Sequence, residues 1–405
     1  MAHLPLAGIK VVDFCWIGAG SYTTKILADM GADVIKIEST KSLDSLRLAA
    51  PYKDGIKGVN RSGYFADRNS SKRSFTLNVK HKDGLKIAYD LIKECDIVSN
   101  NFTPGVMDKL GVGYEKLKEI NPNLIFIGMS MNGDEGPERK MLGYGITISA
   151  ATGLMASCGL PDKAPVGTGT NYPDHVPNPT HGAFAILAAM RHKRRTGEGQ
   201  LIDMAQTEPM VALLAPSIMD YSANGHTFTR QGNRLAGCAP RGVFQTQGDD
   251  RWISLSVRND NEWQGLLNVF SDQRLTNSAW ATAQGREQDQ EAIEAILIEL
   301  CATQVGETLM SQLQTQKVPS GVVQTSADLV DTDPQIKHRN HWKVLQHSEM
   351  GASVYNGLPF IFASGDVGPR SPAPLLGQHT REICTEQLGL TDEDVTRLTE
   401  DGLFI

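Results

Sequence analysis

Short apolar runs alternate with amphipathic stretches through the first half of the chain. Ile9 to Phe14 is an apolar run that meets a tight turn at Gly18-Ala19-Gly20, which predicts a buried strand entering a turn. Ser21 is placed to cap a helix reaching about Met30, and Gly31 to end it. Val34-Ile35-Lys36-Ile37 is the next strand, so this stretch makes one βαβ unit with its crossover helix. Phe75-Thr-Leu77-Asn-Val79 alternates like a short strand. Ala88, Leu91, Ile92 and Cys95 recur at helical spacing, and Asp96-Ile97-Val98 and Leu124-Ile125-Phe126-Ile127 follow as buried strands. Strands alternating with helices predict an α/β fold with a parallel sheet, whose ligands sit beyond the carboxyl ends of the strands. Those ends fall near Trp16 to Gly20, Asn100 to Gly105 and Ser130 to Gly136.

Phe184 to Met190 is apolar on every face and predicts a buried helix, with Arg191 to Arg195 adding positive charge to its last turn before Gly197. Leu201-Ile202 begins a further strand. Beyond about residue 225 the pattern changes: Trp252 to Val257 alternates like a strand, and helices carry Leu266 and Leu267, then Ile293, Ile296, Leu297 and Leu300. This predicts a smaller α+β domain over residues 225–327, after a large domain over 1–200 and a connection over 201–224. Residues 328–405 lead back from it and close with a helix around Thr380 to Gly389.

A chain of 405 residues exceeds what one hydrophobic core usually serves, which agrees with two domains. Its net charge of −7 excludes a broad basic footprint for nucleic acid, while a few local cations or backbone N–H groups still suffice for a small anion. Six cysteines stand far apart with no CxxC pair, the spacing of reduced thiols rather than of a zinc site or disulfide framework. Met1 to Pro5 lacks a basic region leading into an apolar core, and no stretch has the apolar length of a membrane span. A cytoplasmic protein without membrane partners is the expectation.

Gly18-x-Gly20 followed by Glu38 imitates a dinucleotide fingerprint, but Thr23 stands at the third glycine position, and a plain tight turn is the preferred reading. Asn100 to Gly105 follows a strand where Phe102 and free amides suit a nucleotide base and phosphates, or simply end the strand. Lys72-Arg73 suits a diphosphate, or a solvated surface. Tyr172-Pro173-Asp174-His175-Val176-Pro177-Asn178-Pro179 is the most unusual stretch. Its prolines predict extended chain ahead of the apolar helix, presenting Asp174 as a nucleophile or as a charge partner of the helix start. Local chemistry favours the charge partner. His175 and His181 lack a further ligand at metal spacing, so no metal is expected. The Gly-x-Ser-x-Gly and His-Glu-x-x-His signatures are absent.

Pro5-Leu-Ala-Gly-Ile-Lys-Val-Val-Asp13, Leu27-Ala-Asp-Met-Gly-Ala-Asp-Val-Ile-Lys-Ile-Glu38, Lys72-Arg-Ser, Asn101-Phe-Thr-Pro-Gly105, Arg195-Thr-Gly-Glu-Gly-Gln200 and Pro374-Leu-Leu-Gly-Gln-His-Thr380 together resemble the family III CoA-transferases. Formyl-CoA and carnitine CoA-transferases are relatives of this pattern. Asp174-His-Val-Pro-Asn-Pro-Thr-His is similar to the subgroup with succinyl-CoA:benzylsuccinate CoA-transferase. The resemblance implies a Rossmann-like large domain completed by the C-terminal segment, a small domain between, and two interlocked chains. It implies that Asp174 is the catalytic aspartate, although one extra residue separates it from Thr196-Gly197. It maps a CoA pocket onto Ile17, Lys72, Asn101, Phe102, Thr103 and Lys109. CoA enters as part of the substrate, with no tightly bound cofactor, and the partners are an acyl-CoA, a carboxylic acid and a second copy or homologous subunit. Gly18 stands where some members carry glutamine, and Ser39 replaces an arginine. Succinyl-CoA and an aromatic dicarboxylate such as benzylsuccinate are the implied substrates. Gly237 to Gly242, with Arg241, is a segment suited to close over the site. The rival activities are a 2-methylacyl-CoA racemase, whose His-Asp pair is replaced by Gly143-Tyr144-Gly145, and a non-catalytic subunit. A nicotinamide dehydrogenase comes last.

Overall fold

Six short segments become the strands of one parallel sheet. A computed structural model describes residues 4–363, 365 and 367–405. Strands β1 (Lys10–Asp13), β2 (Asp33–Glu38), β3 (Arg73–Thr76), β4 (Ile97–Asn100), β5 (Ile125–Gly128) and β6 (Gln200–Asp203) stand in the order β3-β2-β1-β4-β5-β6. In register, Val11 lies between Val34 and Ile97. The two-residue period sends Val11, Val34, Ile97 and Ile125 into one core and Val12, Ile35, Val98 and Phe126 into the other. Both faces are buried over β1, β2, β4 and β5, which is why these strands read as largely apolar runs.

The helices between and after them are α1 (Gly18–Asp29), α2 (Gly63–Arg68), α3 (Gly84–Lys93), α4 (Val106–Lys109), α5 (Tyr114–Ile120), α6 (Gly145–Ala151), α7 (Tyr172–His175), α8 (Pro177–Thr196), α9 (Glu208–Leu213) and α10 (Ala215–Asn224). Leu27 of α1 and Ile186 of α8 enter one core, while Ile87 and Leu91 of α3 share the other with Ile383 and Val395 from helices Thr380–Glu386 and Asp392–Glu400. The last residues of the chain thus complete the core beside the first strand.

Three local expectations change. Helix α1 begins at Gly18, with Ile17 in the capping position and Ser21 buried inside it, because Ile17 turns the chain straight into the helix at φ 59 and ψ −148. Helix α8 is not buried all round: Ala183, Ile186, Ala189 and Met190 face the core, while Phe184 is 73% exposed. Residues 201–224 carry most of β6 together with α9 and α10.

The contacts divide the chain into two units, Met1–Met155 with Gly167–Thr227 and Gln335–Ile405, and Ala156–Val166 with Phe228–Pro334. In the second, β7 (Arg241–Gln245), β8 (Trp252–Ser256) and β9 (Ser320–Val322) form an antiparallel sheet. Leu266, Ile293 and Leu297 fill its core from helices Asp260–Phe270 and Gln290–Ala302. The first unit gains an antiparallel hairpin, β10 (Trp342–His347) with β11 (Gly351–Asn356), inside the stretch expected to lead back and complete the large domain. Among the described residues no helix is long and apolar enough to cross a membrane.

Candidate active site

The carboxyl ends of β1, β4 and β5 open onto one cavity of about 210 Å³. The turn from β1 to α1 sets its shape. Asp13 closes β1 fully buried, its Oδ1 accepting from the Cys15 amide (2.9 Å) and Ser99 Oγ (3.1 Å) and its Oδ2 from Thr24 Oγ1 (2.7 Å) and Lys72 Nζ (3.1 Å). Burial opposes the charge of this carboxylate, yet Lys72 and Lys36 hold its pKa below the ordinary value. Asp44 Oδ1 accepts the amides of Ile17 and Leu46 at 3.1 and 3.0 Å. Asn101 accepts from the Trp16 amide (2.9 Å) and donates to its carbonyl (2.6 Å). Ile17 is therefore held with positive φ, a region that β-branched residues avoid and that persists only where the surroundings impose it.

The consequence is that Gly18 packs against Asp174. A Cβ on Gly18 would lie 2.6 Å from that of Asp174, and a Cβ on Gly145 would lie 2.9 Å from Asp174 Oδ2. Backbone therefore walls the carboxylate on two sides, and the Gly145 amide at the start of α6 donates to it. Asp174 sits within α7, not in extended chain. Pro173, Pro177 and Pro179 occupy first turns of α7 and α8, where an amide has no intrahelical partner, so proline costs no hydrogen bond. Asp174 is 5% exposed, and burial pushes its pKa up to about 6, against the Gly145 bond and the Arg68 charge, which both lower it. At neutral pH it is a poorly hydrated carboxylate anion, the state a nucleophile requires.

Ile17, Asn101, Phe102 and Thr103 line the same cavity as Asp174, with the Phe102 ring edge-on to Trp16 at 5.5 Å. Lys72 and Lys109 do not line it. Lys72 Nζ is buried and donates to Asp13, to the Ser21 carbonyl (2.8 Å) and to Asn69 Oδ1 (3.0 Å), which engages all its protons. Lys109 is exposed at the end of α4. Among the described lining residues Arg139 alone carries a positive charge. Sequence reasoning missed Arg139 because residues 132–141 have no periodicity and no motif. Gly145 was noticed only as part of a replaced acid–base pair.

The dinucleotide-like features have structural uses. A Cβ on Gly20 would lie 2.6 Å from Cys15 Sγ, and Glu38 is bound by Arg47 at 2.8 and 2.7 Å and by Ser74 Oγ at 2.6 Å. Ser39 Oγ accepts the Lys41 amide at 3.2 Å. His175 contacts Tyr64 and Thr170 through its two ring nitrogens, and His181 Nδ1 lies 2.7 Å from the Pro177 carbonyl. Among the described residues neither histidine joins a metal-binding group. In the second unit Arg241 donates to the Asn233 carbonyl at 2.6 Å.

A Rossmann-like sheet with a buried carboxylate at its strand ends is one of many enzyme designs, and comparison with known proteins narrows it. Residues 6–380 match CoA-transferase family III, and the chain belongs to that family of CoA-transferases. It is 30% identical over 397 residues to the succinyl-CoA–D-citramalate CoA-transferase of Chloroflexus aurantiacus, a match spanning 97% of this chain and 96% of that one. The succinate–glutarate CoA-transferase of Agrobacterium fabrum is 30% identical over 387 residues, covering 94% and 95% of the two chains. A CaiB/BaiF family protein from Brucella suis, solved by crystallography, has the same fold with a TM-score of 0.86 and 32% identity over 95% of this chain and 99% of that one.

Proposed function

We propose that this enzyme moves CoA from succinyl-CoA to a dicarboxylic acid through Asp174. The observation that carries this reading is the placement of Asp174, a buried carboxylate between two glycines with one amide donor, in a cavity at the strand ends. A carboxylate oxygen of Asp174 attacks the thioester carbonyl, the C–S bond breaks, and CoA leaves as thiolate from a mixed anhydride. The thiolate attacks the aspartyl carbonyl, releasing succinate and leaving an aspartyl-CoA thioester. The acceptor carboxylate opens that thioester through a second anhydride, and the returning thiolate takes the acceptor's acyl group. Every step exchanges one acyl bond for another, so no redox partner is consumed. The Gly145 amide stabilises charge at the Asp174 oxygen, and burial keeps water from the anhydride.

Ile17, Asn101, Phe102 and Thr103 shape the CoA channel in this reading, and Arg139 takes the phosphate role expected of Lys72. Relatives named for D-citramalate and glutarate support a dicarboxylic acceptor. The stretch from Asp174 to His181 adds benzylsuccinate to the acceptors to be tried. The six free cysteines fit a reducing cytoplasm. Two copies of the chain are proposed to associate, because none of the ten residues of α10 is buried while Met219 and Tyr221 are each 63% exposed. Incubation with succinyl-CoA and hydroxylamine should leave a hydroxamate on the Asp174 peptide, read by mass spectrometry. Transfer without modification at Asp174 sinks the mechanism.

A further inference from the structure

A second cavity, of about 990 Å³, is lined by residues of α2, α6 and α7. Tyr144 and Asp174 line the first cavity, while the nearby Ile146 and His175 line the second. Arg68, the last residue of α2, also lines the second and has a side chain only 8% exposed. Its guanidinium lies 4.3 Å from the Tyr22 ring centroid and 5.7 Å from that of Tyr64, and one of its terminal nitrogens donates to Asp67. Its Nε has no hydrogen-bond partner. Asp67 balances its charge, while the buried Nε left without a partner is a costly donor. No described residue lining this cavity carries a carboxylate. His175 does not add charge there, since burial and Arg68 push its pKa down to about 4.

The distal end of a dicarboxylic acid needs such a partner once its other end sits at a buried nucleophile. We propose that the second cavity receives the far carboxylate of the dicarboxylic substrate, with Arg68 as its charge partner. The proposal rests on Asp174 being the group that exchanges the acyl unit. Arg68 is then a specificity residue: it separates diacids from monoacids of equal length, whereas Arg139 in the first cavity serves both alike.

The test compares glutarate with pentanoate on the full chain, measuring kcat/KM for each acid as acceptor and Kd by titration calorimetry. Arg68→Gln is expected to lower the preference for glutarate about 30-fold, the size of one hydrogen bond to a charged group. The influence of Arg68 on the charge of Asp174 reaches both acids and cancels in the ratio. Ile146→Glu places a repelling carboxylate on the cavity wall at a residue 62% exposed, so it decides the matter if Arg68→Gln does not fold. It should also weaken glutarate selectively. A wild-type chain indifferent between the two acids, equal losses for both, or a selective loss in Arg139→Gln instead overturns the proposal. Selective glutarate binding through Arg68 without a hydroxamate on Asp174 removes the nucleophile reading and leaves the cavity's role standing.

Discussion

At the scale of single residues, Asp174 shows how burial changes the titration of an ordinary side chain. Its folded pKa of about 6 stands above the ordinary 3.8, so the folded state binds more protons than the unfolded state between those values. Stability is therefore lost as pH rises from about 4 to 6. Asp174→Asn has no such loss, and its advantage over the wild type should grow between pH 4 and 7 by up to about 3 kcal/mol, measured by urea unfolding. Transfer should vanish in the same variant, and wild-type kcat/KM should fall as pH drops below about 6. A variant no more stable at pH 7 would show that burial does not strain this carboxylate. The sequence marked Asp174 through its resemblance to a family, whereas local chemistry favoured a charge partner, because desolvation arises from residues distant in the chain. The glutamine-to-glycine departure at position 18 also becomes intelligible: beside Asp174 there is no room even for a Cβ unless the aspartate shifts.

At the scale of elements, the strands were legible because both faces of a parallel sheet are buried and leave an apolar run in the sequence. The start of α1 was not, since the positive φ of Ile17 is imposed by Asp44 and Asn101 rather than by its own side chain. The contacts of Lys72 were hidden for a related reason. A lysine ahead of a strand resembles a phosphate ligand, but here it ties the entrance of β3 to the carboxylate that ends β1. Removing one partner of a buried ion pair leaves the other uncompensated. Lys72→Met should thus lower unfolding free energy by about 3 kcal/mol in denaturant titrations, with the KM for succinyl-CoA little changed. A raised KM with full stability would restore the phosphate role.

At the scale of the whole molecule, an apolar helix face has the same signature whether it meets its own core or another chain. The all-round apolar character of Phe184 to Met190 therefore suggested burial, while the single chain leaves Phe184 and much of α10 uncovered. A ten-residue helix with no buried residue has little tertiary packing to hold it, and short helices are marginal by themselves in water. The association proposed above would supply the missing contact, since a second copy is available at every concentration of the protein. Sedimentation of the wild type should give a mass of two chains, and its melting temperature should rise with protein concentration, as mass action requires of an assembly that binds only the folded state. Ile218→Asp, placing charge on a half-exposed apolar position of α10, should shift the sedimenting species to one chain and remove that concentration dependence. A wild type that sediments as one chain and melts independently of concentration would leave α10 to a different, homologous subunit, and adding that subunit should then restore both signatures.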